Sequence, residues 1–193
     1  LIHEPDDENN RILHVAALFV SVDILKFTWE KIEKILKAKD AKRDYLLLRG
    51  KLHRIALINS SENVNREVFA WMLQTFLLYI DDSEGYNLKE FLNIREKIDF
   101  KQLLCTVDQE RSSLISTIFT FATIDKIALI LREIKKRYPD FETQKEILMT
   151  VGPHGRNLLT LVTINNTKLY VVRKCWKLFL EIFDSSPEVE EEV

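Results

Sequence analysis

The chain has 193 residues, 28 Lys+Arg against 30 Asp+Glu for a formal net charge of -2, 46% hydrophobic residues, and only 4 Gly and 4 Pro. That much apolar side chain with so few turn formers excludes disorder for most of the chain and argues against a many-turned β-sandwich, which needs a turn signal every ~8 to 12 residues. A near-neutral chain with a pI near 6.2 also lacks the basic face that duplex nucleic acid requires. The expected class is all-α.

Taken in chain order, the predicted elements alternate between short and long helices. Leu13 to Val20 is a short, small-residue-rich helix, and Val22 to Lys39 follows with Leu25, Trp29, Ile32, Ile35 and Leu36 on one stripe. Leu52 to Asn59 is the second short helix. Arg66 to Ile80 is apolar on most sides, so it must be covered on more than one face. The segment Asp81 to Phe100 reads as an insertion with an acidic turn and a further helix from Asn87 to Ile98. Ile115 to Ala122 and Ile124 to Tyr138 form the third pair, the latter burying Ile124, Ile127, Leu131 and Ile134. Leu159 to Ile164 and Leu169 to Phe183 form the fourth, with Val172, Cys175, Trp176, Phe179 and Phe183 facing inward. From Ser185 the tail is acidic and starts with a helix stop at Pro187.

Four short–long pairs prompt a search for internal repeats. Lys101 to Ile115 set beside Lys145 to Leu159 matches at Lys, Leu, Thr, Val and Leu. Anchored on Leu13, Leu52, Ile115 and Leu159, the frame steps irregularly, the longest step holding the insertion. Leu1 falls inside what the frame treats as a preceding repeat, so the chain reads as a piece of a longer array.

ArgIleLeuHisValAlaAla (Arg11 to Ala17) and GlyLysLeuHisArgIleAla (Gly50 to Ala56) are similar to the Thr-Pro-Leu-His-x-Ala start of an ankyrin repeat, and Gly155 to Val162 followed by Asn165 to Val172 resembles that family's turn and second helix. Arg111 to Ile118 is the weakest copy. The resemblance implies an ankyrin-like helix-turn-helix repeat solenoid of about four irregular repeats with lengthened second helices, near residues 6–48, 49–107, 108–151 and 152–184, with the insertion near 81–100 and a mobile acidic tail over 185–193. His14 and His53 take the family's His position, where an imidazole ties neighbouring turns together. Ser113 and Asn157 stand where the family has Thr and are good N-cap residues. Other helical-pair solenoids, or an irregular helical domain, would give a similar apolar rhythm.

Signals for chemistry are sparse. His3, His14, His53 and His154 show no zinc spacing, and Gly at 50, 85, 152 and 155 builds no phosphate loop. A calcium loop through Gly85 would put Ile80 and Phe91 where oxygen ligands are required. Cys105 and Cys175 lie in apolar helical patterns and read as buried structural thiols of a reducing, intracellular, cytoplasmic setting. No apolar run is long enough to span a bilayer.

The expected protein is therefore not an enzyme, uses no cofactor or metal, and is a protein–protein interaction module presenting a concave repeat surface to another protein. The alternative is a regulatory or targeting segment of a larger protein. If the ankyrin resemblance holds, the partner-facing residues lie in the turns before each short helix: Asp7, Glu8, Asn9 and Arg11; Arg49, Lys51 and Arg54; Gln109, Glu110 and Arg111; and His154 and Arg156. Each is equally explained as a solvated turn residue.

Overall fold

The computed structural model describes residues 2–80, 99–105, 112–165 and 169–183, the side chains of 53, 80, 165, 182 and 183 excepted. Eleven α-helices and two 3-10 turns are present among the described residues, with no β-strand. The chain divides into two compact units, Leu1–Gln109 and Glu110–Val193. No helix among the described residues is long and apolar enough to cross a membrane.

The first unit runs α1 (Ile12–Phe19), α2 (Val22–Ile35), α3 (Lys39–Leu46), a 3-10 turn (Lys51–His53), α4 (Ala56–Glu62), α5 (Arg66–Ile80) and α6 (Phe100–Cys105). Ala16 and Ala17 of α1 are buried and keep its surface low, so α4 can lie close against it. Asn63 then donates from Nδ2 to the carbonyls of Ala17 and Val20, both at 3.1 Å, satisfying the last turn of α1 from the end of α4. Helix α5 buries Val68, Phe69, Met72 and Phe76 completely and packs on α4, α3, α2 and α1. Trp29 of α2 meets Tyr79 of α5 edge-on, ring centroids 5.8 Å apart, and the Tyr79 hydroxyl donates to the carboxylate of Glu33.

The second unit runs α7 (Leu114–Phe121), α8 (Ile124–Arg137), α9 (Phe141–Leu148), a second 3-10 turn (Pro153–Gly155), α10 (Leu158–Asn165) and α11 (Leu169–Phe183). Ser113 caps α7 by accepting from Ser116 N–H at 3.1 Å, and Asn157 accepts from Thr160 N–H at 2.8 Å at the start of α10. Asp140 caps α9 through Thr143 N–H at 2.7 Å. Helix α11 packs on α8, α10 and α9, and Phe179 stands edge-on to Phe119 of α7 at 5.8 Å.

The second unit repeats the first. Ile12, Val22, Lys39, Lys51 and Ala56 open elements whose counterparts open at Leu114, Ile124, Phe141, Pro153 and Leu158, each 102 residues later. Only the last helix slips, from Arg66 to Leu169, by one residue more. Turn geometry follows the same offset. Gly50 N–H bonds the Arg54 carbonyl at 2.8 Å and Gly152 N–H the Arg156 carbonyl at 2.7 Å, while Leu52 and His154 hold left-handed φ of 56° and 59°.

Several expectations change. The long α5 and α11 stand over the expected residues, but Val22 to Lys39 ends at Ile35, and α3 and α9 were not anticipated as helices. Ile35 is exposed, because the inward stripe of α2 is Leu25, Trp29, Ile32 and Leu36. Leu52 anchors no helix. It sits 44% exposed in the 3-10 turn, α4 starts at Ala56, and Leu57 is the buried anchor, so the Leu52-His53 pair does not match Leu13-His14 in structure. The expected helix Asn87 to Ile98, nearly all of the insertion and the acidic tail lie outside the described residues.

Candidate functional site

A cleft of about 310 Å³ opens in the first unit between the turn before α1, α1 itself, the first 3-10 turn and α4. Its apolar wall comes from Val15, Leu18 and Phe19 of α1 and from Leu52. Phe19 is 75% exposed, an unusual state for a phenyl ring on a helix whose other face is core. Leu52 reaches the cleft because its left-handed backbone turns the side chain out of the core.

Two ion pairs make the polar rim. Lys51 Nζ meets the Glu8 carboxylate, and Arg54 Nη1 donates to Glu62 Oε1 at 2.6 Å. The Lys51–Glu8 pair is half exposed, so solvent screens it and it contributes little to stability. The Arg54–Glu62 pair is better shielded. Asn10 Oδ1 accepts from Lys51 N–H at 3.0 Å and joins the two sides of the cleft.

At the base stands His14, buried with both ring nitrogens engaged. A backbone N–H can only donate and a carbonyl only accept, so the bonds define the tautomer: Nδ1 accepts from Arg11 N–H at 3.2 Å, and Nε2–H donates to the Leu48 carbonyl at 2.9 Å. Burial, the largest cause, lowers its pKa below 6.5, with the Arg11 charge adding to the effect and the backbone bonds opposing it. The ring is thereby held neutral, tying the start of α1 to the turn after α3. Arg11 Nη1 adds a second tie to the Arg49 carbonyl at 2.7 Å.

The structure brings Glu8, Lys51 and Arg54 together around the cleft. Asn9, Arg11 and Arg49 are drawn into the same pair of turns, but as internal braces: Arg11 spends its guanidinium on the carbonyls of Arg49 and Asn9, and Asn9 takes φ 65°. Asp7 stays exposed on the turn. His154 and Arg156 are exposed at the second unit's own 3-10 turn. Gln109, Glu110 and Arg111 lie outside the described residues. Phe19, Leu52 and Glu62 were missed as site residues, because Phe19 stands between Leu18 and Val20 at the end of an apolar helix and nothing in the sequence marks its ring as exposed.

No group of three or more His, Cys, Asp or Glu among the described residues could hold a metal ion. Cys175 is buried, and burial pushes its thiol up to about 11, far from the thiolate a nucleophile needs.

No family model matches the chain, and no curated protein matches it. Among solved structures it is similar to a predatory endopeptidase from Bdellovibrio bacteriovorus in complex with an immunity protein, at 15% identity over 92% of this chain and 85% of that one, with a TM-score of 0.35. The expected ankyrin-type interaction module with a concave repeat surface, and with it the alternative of a regulatory or targeting segment, is corrected on that finding, since the match is to an endopeptidase–immunity protein complex. At that TM-score the likeness assigns no role to any residue here.

Proposed function

We propose that the chain is a binding protein without catalytic chemistry of its own, and that it takes one apolar side chain from a segment of a partner protein into the cleft between α1 and α4. The observation that carries this reading is an apolar wall of Val15, Phe19 and Leu52 exposed beside two closed ion pairs. Exposed apolar surface of this kind, rimmed by polar groups, marks a binding site. The charges of the rim are already matched to each other, so the cleft favours a segment of low net charge whose backbone meets Asn10 and whose side chain lies on Phe19.

Selection of a displayed random-peptide library on the intact protein tests this, followed by calorimetry with the enriched peptide. One-to-one binding that is lost in Phe19→Glu and Leu52→Glu, with helical content unchanged, is the expected result. No enrichment, or binding indifferent to both substitutions, overturns the reading.

We further propose that the helices form four diverged modules of an ankyrin-like helical repeat. Leu57 follows Leu13 by 44 residues and Leu159 follows Ile115 by the same 44, each the second residue of its short helix. Burial of Leu13, Leu57 and Ile115 and half-burial of Leu159 support that frame.

A further inference from the structure

His14 stands at the base of the α1–α4 cleft and also fastens the cleft's rim. Its Nδ1 accepts from Arg11 N–H, and just upstream Glu8 and Asn10 hold Lys51 across the cleft. The turn that carries them has little else to keep it in place. Residues 3–9 are all exposed, and the bonds from Glu8, Asn9 and Asn10 to the opposite turn run between exposed groups. A segment with so few buried contacts opens at far lower cost than a whole unit.

Protonation of the ring would set N–H against N–H, because the new hydrogen on Nδ1 faces the Arg11 amide while Nε2–H keeps its bond to the Leu48 carbonyl. The charged groups around the ring are Glu8 and Arg11 from the turn before α1, Lys51 and Arg54 from the turn opposite, and Glu62 from α4. Both carboxylates are already engaged, Glu8 with Lys51 and Glu62 with Arg54, and the Arg11 charge opposes a second cation beside it. Among the described residues no charge on α2 or α5, which also pack on α1, acts on the ring. A charged imidazole is therefore accommodated by letting water in. The second unit has no titratable group at this place: Ser116 holds it, and its hydroxyl donates to the Ser113 carbonyl at 2.9 Å.

We propose that protonation of His14 releases the turn at 6–11 from the turn at 49–54 while the rest of the first unit stays folded, so that the α1–α4 cleft holds its partner segment at neutral pH and lets it go in acid. This rests on the reading of that cleft as a binding site. A segment that needs the closed rim binds only the neutral-ring form, so its affinity falls by up to about tenfold for each pH unit below the midpoint of the ring.

Proton–nitrogen NMR spectra of the full chain from about pH 7.5 to about pH 5 test the release without any ligand, since histidines are the side chains that titrate over most of that interval. The His14 ring and the amides of Arg11 and Lys51 are expected to change with one midpoint, while the amides of α5 and α8 keep their positions. His53→Gln, in the neighbouring turn, should leave that midpoint in place, and His14→Gln should abolish it. Calorimetry with the peptide enriched on the cleft at pH 7 should show Kd rising by up to about tenfold per pH unit below the same midpoint. A ring that takes its proton only as every amide collapses, or turn amides that do not follow the ring, overturns the inference. A peptide whose Kd is indifferent to pH across the midpoint also overturns it, leaving the cleft standing as a binding site. No peptide at pH 7 removes the binding site and the acid release with it.

Discussion

Gly50 lies so close to His14 that a Cβ on it would stand 2.8 Å from Cδ2 of the ring and 2.6 Å from Asn10 Oδ1. Its backbone is extended, so the need for glycine here is spatial. Gly152 repeats the relationship, its virtual Cβ 2.8 Å from Ser116 Cβ and from Leu161 Cδ1. Gly50→Ala and Gly152→Ala are each expected to cost about 1 to 3 kcal/mol, read as a lower urea midpoint. Ser116→Gly should return part of the loss in Gly152→Ala, since it removes one of the two colliding atoms.

The neutral ring of His14 makes stability depend on acid. Its folded pKa lies below that of the unfolded chain, so as pH falls through about 6.5 the unfolded state takes up a proton that the folded state resists. The contribution is complete above that pH and is lost below it, with a slope approaching 1.4 kcal/mol per pH unit. Urea melts between about pH 7 and pH 5 should show the decline in the wild type. A His14→Gln variant should be less stable at pH 7 and flatter across the window.

Lys126 is 1% exposed near the N-terminus of α8, and burial lowers its ammonium to about 8. A positive charge there also opposes the helix dipole. Below about pH 8 the folded state holds a desolvated charge, and between there and 10.5 the folded lysine is neutral while the unfolded one is still protonated. Stability from this group therefore rises with pH over that interval. The difference in Tm between wild type and Lys126→Met is expected to move in favour of the wild type as pH rises from about 7 to about 10 in paired thermal melts.

His154 occupies left-handed backbone at φ 59° without being glycine. A side chain there costs about 1 kcal/mol, part of which is returned by the greater freedom of glycine in the unfolded chain. His154→Gly should leave Tm unchanged or raise it by a few degrees in a thermal melt. A fall of several degrees would show that the imidazole makes a contact that matters.

The long helices were legible because a 3.6-residue period sustained over fourteen or more residues leaves little ambiguity, and α5 and α11 start and stop at the residues where that period does. Helices α3 and α9 escaped because they are eight residues each, rich in charge, and bury only two apolar side chains apiece, Tyr45 and Leu46 beside Arg43 in one and Ile147 and Leu148 beside Gln144 in the other. Leu52 misled because Leu-His beside a glycine resembles the Leu13-His14 start, whereas its left-handed backbone belongs to a turn. The repetition between the two units was legible at its start, where Leu13-His14 falls on Ile115-Ser116, and was hidden further on by substitution, Ala17 being matched by Phe119 and Trp29 by Leu131. Of the cleft, the charged rim could be read from the turns. Its apolar wall could not, since only the packing of α4 on α1 brings Phe19 near Leu52.

From the start of α1 to the start of α4, and again from α7 to α10, the chain keeps one spacing through five elements while most residues along it differ. The distances between landmarks are more strictly inherited than the chemistry at them. Adding or removing a single residue within Ile12–Ala56 should therefore injure the protein more than many replacements there, and engineered extra length belongs between α4 and α5, where the two units already differ by one residue.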